Sequence, residues 1–227
     1  MKPRFTPGAI RSITLDLDGT LLDTVPDLSA AANGMLRELG LPQRSETEIR
    51  DFVGRGIDNL VWRCLADAQS LSAEDQARAQ TLFRRHYAAT NGVASQPFPG
   101  VIEGLERFRK MGLKMAVITN KAAAFTGPLL AATGLDSYLE FAVSGDTLAQ
   151  KKPHPLPLLH ACERLGIPPG NNLHIGDSKH DAEAARAAGC PVFCVPYGYN
   201  EGCDVRELDC DAIVASIEAA ATMLIAA

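Results

Sequence analysis

The sequence predicts an α/β fold: a doubly wound parallel sheet with an inserted all-helical unit. Two observations point there. Six short apolar runs alternate with helix-length stretches, the signature of βαβ units. One interval, residues 23–92, breaks the rhythm with helical patterns alone. The α/β part therefore spans 1–22 plus 93–227, and the insert 23–92.

The first run, Ile13-Thr14-Leu15-Asp16-Leu17, is short and rich in β-formers. The insert then reads as helices near 27–39, 46–53, 57–68 and 73–90. Ser45 with Glu48 three residues on forms a capping box at the second. Gln96-Pro97-Phe98-Pro99-Gly100 reads as the return linker, and hinges are expected near 22–24 and 92–100. Beyond it, strands are expected at 114–118, 141–143, 173–175, 191–195 and 212–214. Helices are expected near 101–111, 121–133, 155–166, 179–188 and 216–225. Gly112, Gly134, Gly166 and Gly189 fall just past four of these helices, where a C-terminal cap favours glycine.

The composition excludes several function classes. With 22 Lys plus Arg against 27 Asp plus Glu, the net charge of -5 offers no electrostatic footprint for nucleic acid or anionic lipid. Aromatics are 6% of the chain, too few for a base-stacking platform. No run approaches a membrane span, and the N-terminus lacks the apolar region of a secretory signal. Six cysteines in 227 residues are too sparse for a disulfide scaffold. They read as buried small hydrophobes in a reducing, cytoplasmic compartment rather than as zinc ligands with His174 and His180. Whether the chain works as a monomer or a homodimer is not legible.

Chemistry-bearing residues cluster where the expected strands end at their carboxyl side, the edge at which open parallel sheets bind ligands. They are Asp16-Leu17-Asp18-Gly19-Thr20, Thr119-Asn120, Lys151-Lys152-Pro153 and Gly176-Asp177-Ser178-Lys179-His180-Asp181. Asp16 and Asp18, two apart, can share one side of an extended segment. Like charges about 4 Å apart repel by about 4 kcal/mol at an effective dielectric near 20, so such a cluster calls for a cation. All-oxygen ligands suit Mg²⁺. Lys152 and the Thr119 hydroxyl then complete a clamp for a phosphoryl group.

These four motifs, in this order, resemble the haloacid dehalogenase superfamily of phosphotransferases. The likeness covers about 165 residues, and the helical insert resembles the first cap class of that superfamily. It implies Asp16 as nucleophile and Asp18 as acid and base. Mg²⁺ would be held by the Asp16 carboxylate, the Asp18 carbonyl and Asp177. Thr119 would bond the phosphoryl oxygens with Asn120 positioning them. Lys152, which precedes the proline, would balance charge in preference to Lys151, and Asp181 would orient the metal's ligands. Gly145-Asp146-Thr147-Leu148, Lys152-Pro153-His154-Pro155 and Pro196-Tyr197-Gly198-Tyr199-Asn200 further resemble the phosphoglycolate phosphatase branch. That branch implies hydrolysis of 2-phosphoglycolate to glycolate and phosphate. Other small esters, such as sugar phosphates or nucleotides, stay open, as does a non-enzymatic phospho-receiver. The insert has no lysine, which argues against a phosphonate hydrolase that forms a Schiff base.

Two further expectations concern single residues. Arg55, between Gly54 and Gly56 before a helix, is expected to reach the site and fork a substrate carboxylate. Lys179 and His180 are expected on an exposed turn.

Overall fold

The computed structural model describes residues 6–66 and 72–225. In chain order the elements are β1 (Ser12–Leu15), β2 (Leu22–Asp23), α1 (Val25–Glu38), α2 (Glu46–Phe52), α3 (Ile57–Cys64), α4 (Ala73–Thr90) and β3 (Gln96–Pro97). They continue with α5 (Val101–Lys110), β4 (Lys114–Ile118), α6 (Ala123–Ala132), β5 (Phe141–Val143), α7 (Leu156–Leu165) and β6 (Asn172–Gly176). Then follow α8 (Lys179–Ala188), β7 (Val192–Cys194), β8 (Ala212–Ile213) and α9 (Ile217–Ile225). Among the described residues no helix is long and apolar enough to cross a membrane.

Six strands form one parallel sheet in the order β5-β4-β1-β6-β7-β8. β1 lies in the middle, with Ser12 opposite both Lys114 of β4 and Asn172 of β6. Period-two alternation divides the central strands between two faces. Ile13, Leu15, Met115, Val117, Leu173 and Ile175 turn to one face, where α5 and α9 cover them with Leu105, Phe108, Ile217 and Leu224. The opposite face carries Ile118, Val143, Val192 and Cys194 under α7 and α8. On that second face β1 and β6 present polar residues instead: Ser12, Thr14, Asn172 and His174, all fully buried. Cys64, Cys162, Cys190 and Cys194 are buried free thiols.

Helices α1–α4 pack around a separate apolar cluster built on Met35, Ile49, Leu60, Phe83 and Tyr87. The Ser45–Glu48 capping box forms as expected. A second box, Ser72 with Asp75, starts α4. The third helix ends at Cys64, short of the expected 68, and residues 67 and 68 lie outside the described residues. The return linker is partly a strand. β2 and β3 pair antiparallel, Leu22 with Pro97 and Asp23 with Gln96, a ribbon absent from the expectation. Two residues per strand are too few for periodicity to register.

A buried carboxylate ties these crossings together. Asp27, in the first turn of α1, accepts hydrogen bonds from the backbone N–H groups of Gly92 (2.9 Å), Ala94 (2.8 Å) and Ser95 (3.0 Å). It also accepts one from the Ser95 hydroxyl (2.5 Å).

Candidate active site

Where β1 ends, the Asp16 N–H still donates to the Ile175 carbonyl (2.9 Å), so the first carboxylate is held in the sheet's register. The chain then turns. Gly19 takes a positive φ of 86°, and a Cβ there would lie 2.5 Å from Asp177 Oδ2. Only glycine lets the turn approach Asp177 this closely. Gly198 makes the same allowance, since a Cβ there would collide with Asp177. Asp177 sits at the end of β6, accepting from Thr20 Oγ1 (2.8 Å) and from the Tyr199 N–H (2.5 Å). The Tyr199 hydroxyl in turn donates to Asp23 (2.5 Å) and accepts from the Thr24 N–H (2.8 Å). One residue thereby joins a site carboxylate to the first crossing into the helical unit.

Two lysines meet the two aspartates of β1. Lys152 Nζ lies 2.7 Å from Asp16 Oδ1 and 2.6 Å from Asp181 Oδ1. Lys121 Nζ grips both oxygens of Asp18, at 2.8 and 3.0 Å. It lies 5.1 Å above the Tyr87 ring of α4. Thr119 is buried at the end of β4, its N–H on the Val143 carbonyl and its hydroxyl accepting from the Lys121 N–H. Asn120 Nδ2 donates to the Lys152 carbonyl and to the Gly54 carbonyl, both at 2.9 Å. Asp181 is buried and also accepts from the Ser178 N–H and hydroxyl at the start of α8. It is a helix-cap residue and a support for the site at once.

The electrostatics follow from burying carboxylates together. Burial raises the Asp16 carboxyl to about 7, against the attraction of Lys152. Burial, then Asp16 and Asp181, push Asp177 well up. Burial disfavours the charged form of Asp181 too, but Lys152 and His174 outweigh it and hold that carboxyl below its usual range. Burial opposes the charge on Lys152, yet Asp16 and Asp181 overcome this and raise it. One oxygen each of Asp16, Asp177 and Asp181 lies within 4.8 Å of the others. Hard carboxylate oxygens crowded together in a buried place are a donor set that fits a divalent cation, and Asp16 and Asp177 would hold it.

A cavity of about 40 Å³ stands above these groups. Asp16, Asp18, Thr119, Asn120, Lys121, Lys152 and Asp177 line it from the sheet, and Leu28, Val53, Gly54, Ile57, Leu60 and Tyr87 from the helical unit. Arg55 is not brought to this cavity. Its guanidinium forks Glu201 at 2.6 and 2.7 Å, which holds the Glu201 carboxyl down to about 2. Arg55 lines an adjoining opening with Trp62, Lys151 and His180. Lys151 Nζ donates to the Arg55 carbonyl (2.7 Å), which leaves the Asp16 contact to Lys152. His180 is buried rather than exposed, its Nε2 3.3 Å from Glu201. A first-turn position suggested a solvated side chain, but the inserted unit covers it.

Lys121, Tyr199, Glu201 and His174 were not singled out for the site. Lys121 had one signal, its place directly after Thr119-Asn120 at a strand end. Tyr199 had one too, its place in the Pro196–Asn200 stretch after an expected strand, whereas Glu201, one residue beyond that stretch, had none.

The sequence profile of the family described as haloacid dehalogenase-like hydrolase matches residues 13–195, from the first residues of β1 to the end of β7. The chain belongs to this hydrolase family. Relatives of this haloacid dehalogenase-like hydrolase include the phosphoglycolate phosphatase of Thiobacillus denitrificans, 52% identical over 96% of this chain and 97% of that protein. The phosphoglycolate phosphatase of Nitrosospira multiformis is also 52% identical, with the same coverage. A crystal structure of a predicted phosphoglycolate phosphatase from Haemophilus somnus superposes with a TM-score of 0.91 at 32% identity, covering 95% of this hydrolase and 98% of that chain.

Proposed function

We propose that this hydrolase cleaves a small phosphate monoester, foremost 2-phosphoglycolate, to glycolate and orthophosphate through an aspartyl-phosphate. The observation that supports this most is the pairing of Asp16 with Lys152 and Asp18 with Lys121 on one small cavity. The names of the relatives at 52% identity favour phosphoglycolate.

In this reading an Asp16 oxygen attacks phosphorus and the ester P–O bond breaks. The leaving alkoxide takes its proton from the Asp18 carboxyl. Water then attacks the phosphorus and gives its proton back to Asp18. The bond from phosphorus to Asp16 breaks, and orthophosphate leaves. Lys121 orients Asp18 through both oxygens. Lys152 balances the charge on Asp16 and the phosphoryl group. Thr119 bonds the phosphoryl oxygens, and Asn120 ties their loop to Gly54. Mg²⁺, held by Asp16, Asp177 and the Asp18 carbonyl, would neutralise phosphoryl charge. Residues 23–92 act as a cap over the core of 1–22 and 93–227, excluding bulk water while the intermediate forms.

The test is phosphate release from a panel of monoesters with Mg²⁺ or chelator, with Asp16→Asn as control. Turnover is expected to peak on 2-phosphoglycolate, require the metal and vanish in the variant. A peak on another ester would overturn the substrate, and metal-independent release would overturn the mechanism.

A further inference from the structure

The polar stripe under α7 and α8 ends at the site. Ser12 Oγ donates to Asn172 Oδ1 (2.8 Å), and Asn172 Nδ2 donates to Thr14 Oγ1 (2.9 Å). Thr14 Oγ1 lies 3.0 Å from His174 Nδ1, and His174 Nε2 lies 3.1 Å from Asp181 Oδ1. That same oxygen accepts from Lys152, which contacts Asp16. For a neutral His174 ring, donors and acceptors allow one consistent direction. An ionised Asp181 only accepts, so Nε2 carries the proton. Nδ1 is then bare and accepts from Thr14, whose oxygen is already engaged by Asn172. Every hydrogen from Ser12 onward points toward Asp181.

Four polar side chains on a fully buried sheet face are costly relative to an apolar ladder, unless each is satisfied. Here each is satisfied, and the chain terminates on the carboxylate that shares Lys152 with the nucleophile. We propose that His174 is a positioning residue for the hydrolysis, fixed as the neutral Nε2–H tautomer by Thr14, so that Asp181 stays ionised and holds Lys152 against Asp16. The inference rests on the phosphatase reading of Asp16 and Lys152. Burial also lowers the affinity of His174 for a second proton, consistent with a neutral ring.

Two measurements test it. His174→Phe keeps the ring volume and removes both nitrogens. Its kcat on the preferred ester is expected to fall by about 10- to 100-fold with KM within about threefold, the usual effect of losing such a support. His174→Gln restores a donor toward Asp181 and is expected to regain at least about tenfold in kcat. Both are compared as folded protein of native far-UV signal. Equal kcat in the two variants, or wild-type kcat in His174→Phe, would overturn the proposal. The second measurement needs no turnover: ¹⁵N-histidine NMR of the wild-type protein at neutral pH. It is expected to show one ring protonated at Nε2 alone, its signal absent from His174→Gln. A ring protonated at Nδ1, or at both nitrogens, would overturn the proposal even if no ester were hydrolysed. If the wild type turns over no ester while the Nε2–H tautomer is present, the phosphatase reading fails and the tautomer assignment stands.

Discussion

Lys121 shows how a residue can be central to a site and quiet in the sequence. Asp16, Asp18, Thr119, Lys152, Asp177 and Asp181 were legible because each sits in a short motif at an expected strand end. A lone lysine before a helix ordinarily reads as solvated. Here its ammonium is buried, and Asp18, against the cost of that burial, holds the proton on more firmly than usual. Removing one partner of a buried pair leaves the other uncompensated, at about 3–5 kcal/mol. Since Asp18 retains some exposure, the low end applies. Lys121→Met is expected to lose about 3 kcal/mol in denaturant unfolding. Its kcat on 2-phosphoglycolate should drop about 100-fold, the lower range of acid–base contributions. A kcat within threefold of wild type would remove Lys121 from any role in orienting Asp18. His174 stayed hidden for a related reason: one histidine inside an apolar run says nothing about its partner seven residues on, because the turn between them decides whether they meet.

The helices and parallel strands were readable because burial imposes period and length on them. The β2–β3 ribbon was not, because two-residue strands impose neither. The segment that returns into it is held by one side chain in particular, Asp27, with four hydrogen bonds from Gly92, Ala94 and Ser95. Bonds to a charged acceptor are each worth about 1.5–3 kcal/mol, and losing the acceptor strands buried N–H groups. Asp27→Ala is expected to cost about 3 kcal/mol, lowering Tm by roughly 6–12 °C in a chain of this size. The exposed capping box of α2 offers the contrast: Ser45→Ala should cost only about 1 kcal/mol. Calorimetry that ranks the two the other way round would show that Asp27 does not secure the crossing.

The molecule as a whole carries a pH signature of its crowded carboxylates. Without a cation, Asp16 titrates near 7 in the folded chain against 3.8 unfolded. Between those values Asp16 binds more protons in the folded state than in the unfolded one, so its contribution to stability falls as pH rises from about 4 to about 7. A divalent cation competes with those protons and restores what was lost. Thermal melts in chelator and in Mg²⁺ are therefore expected to differ more at pH 8 than at pH 5. A larger metal effect at pH 5 would contradict the assignment of Asp16 to the cation. The central place of β1 has a consequence of another kind, in time. Ser12 pairs with Asn172, 160 residues later. At a synthesis rate of roughly 5–20 residues per second, β1 leaves the ribosome about 8–30 s before its second neighbour exists. For that interval the strand that ends at Asp16 keeps at least one open edge, two until β4 follows, and the helices α1–α4 are the first part of the chain able to fold on contacts of their own. The strand that bears the chemistry is made first and completed among the last.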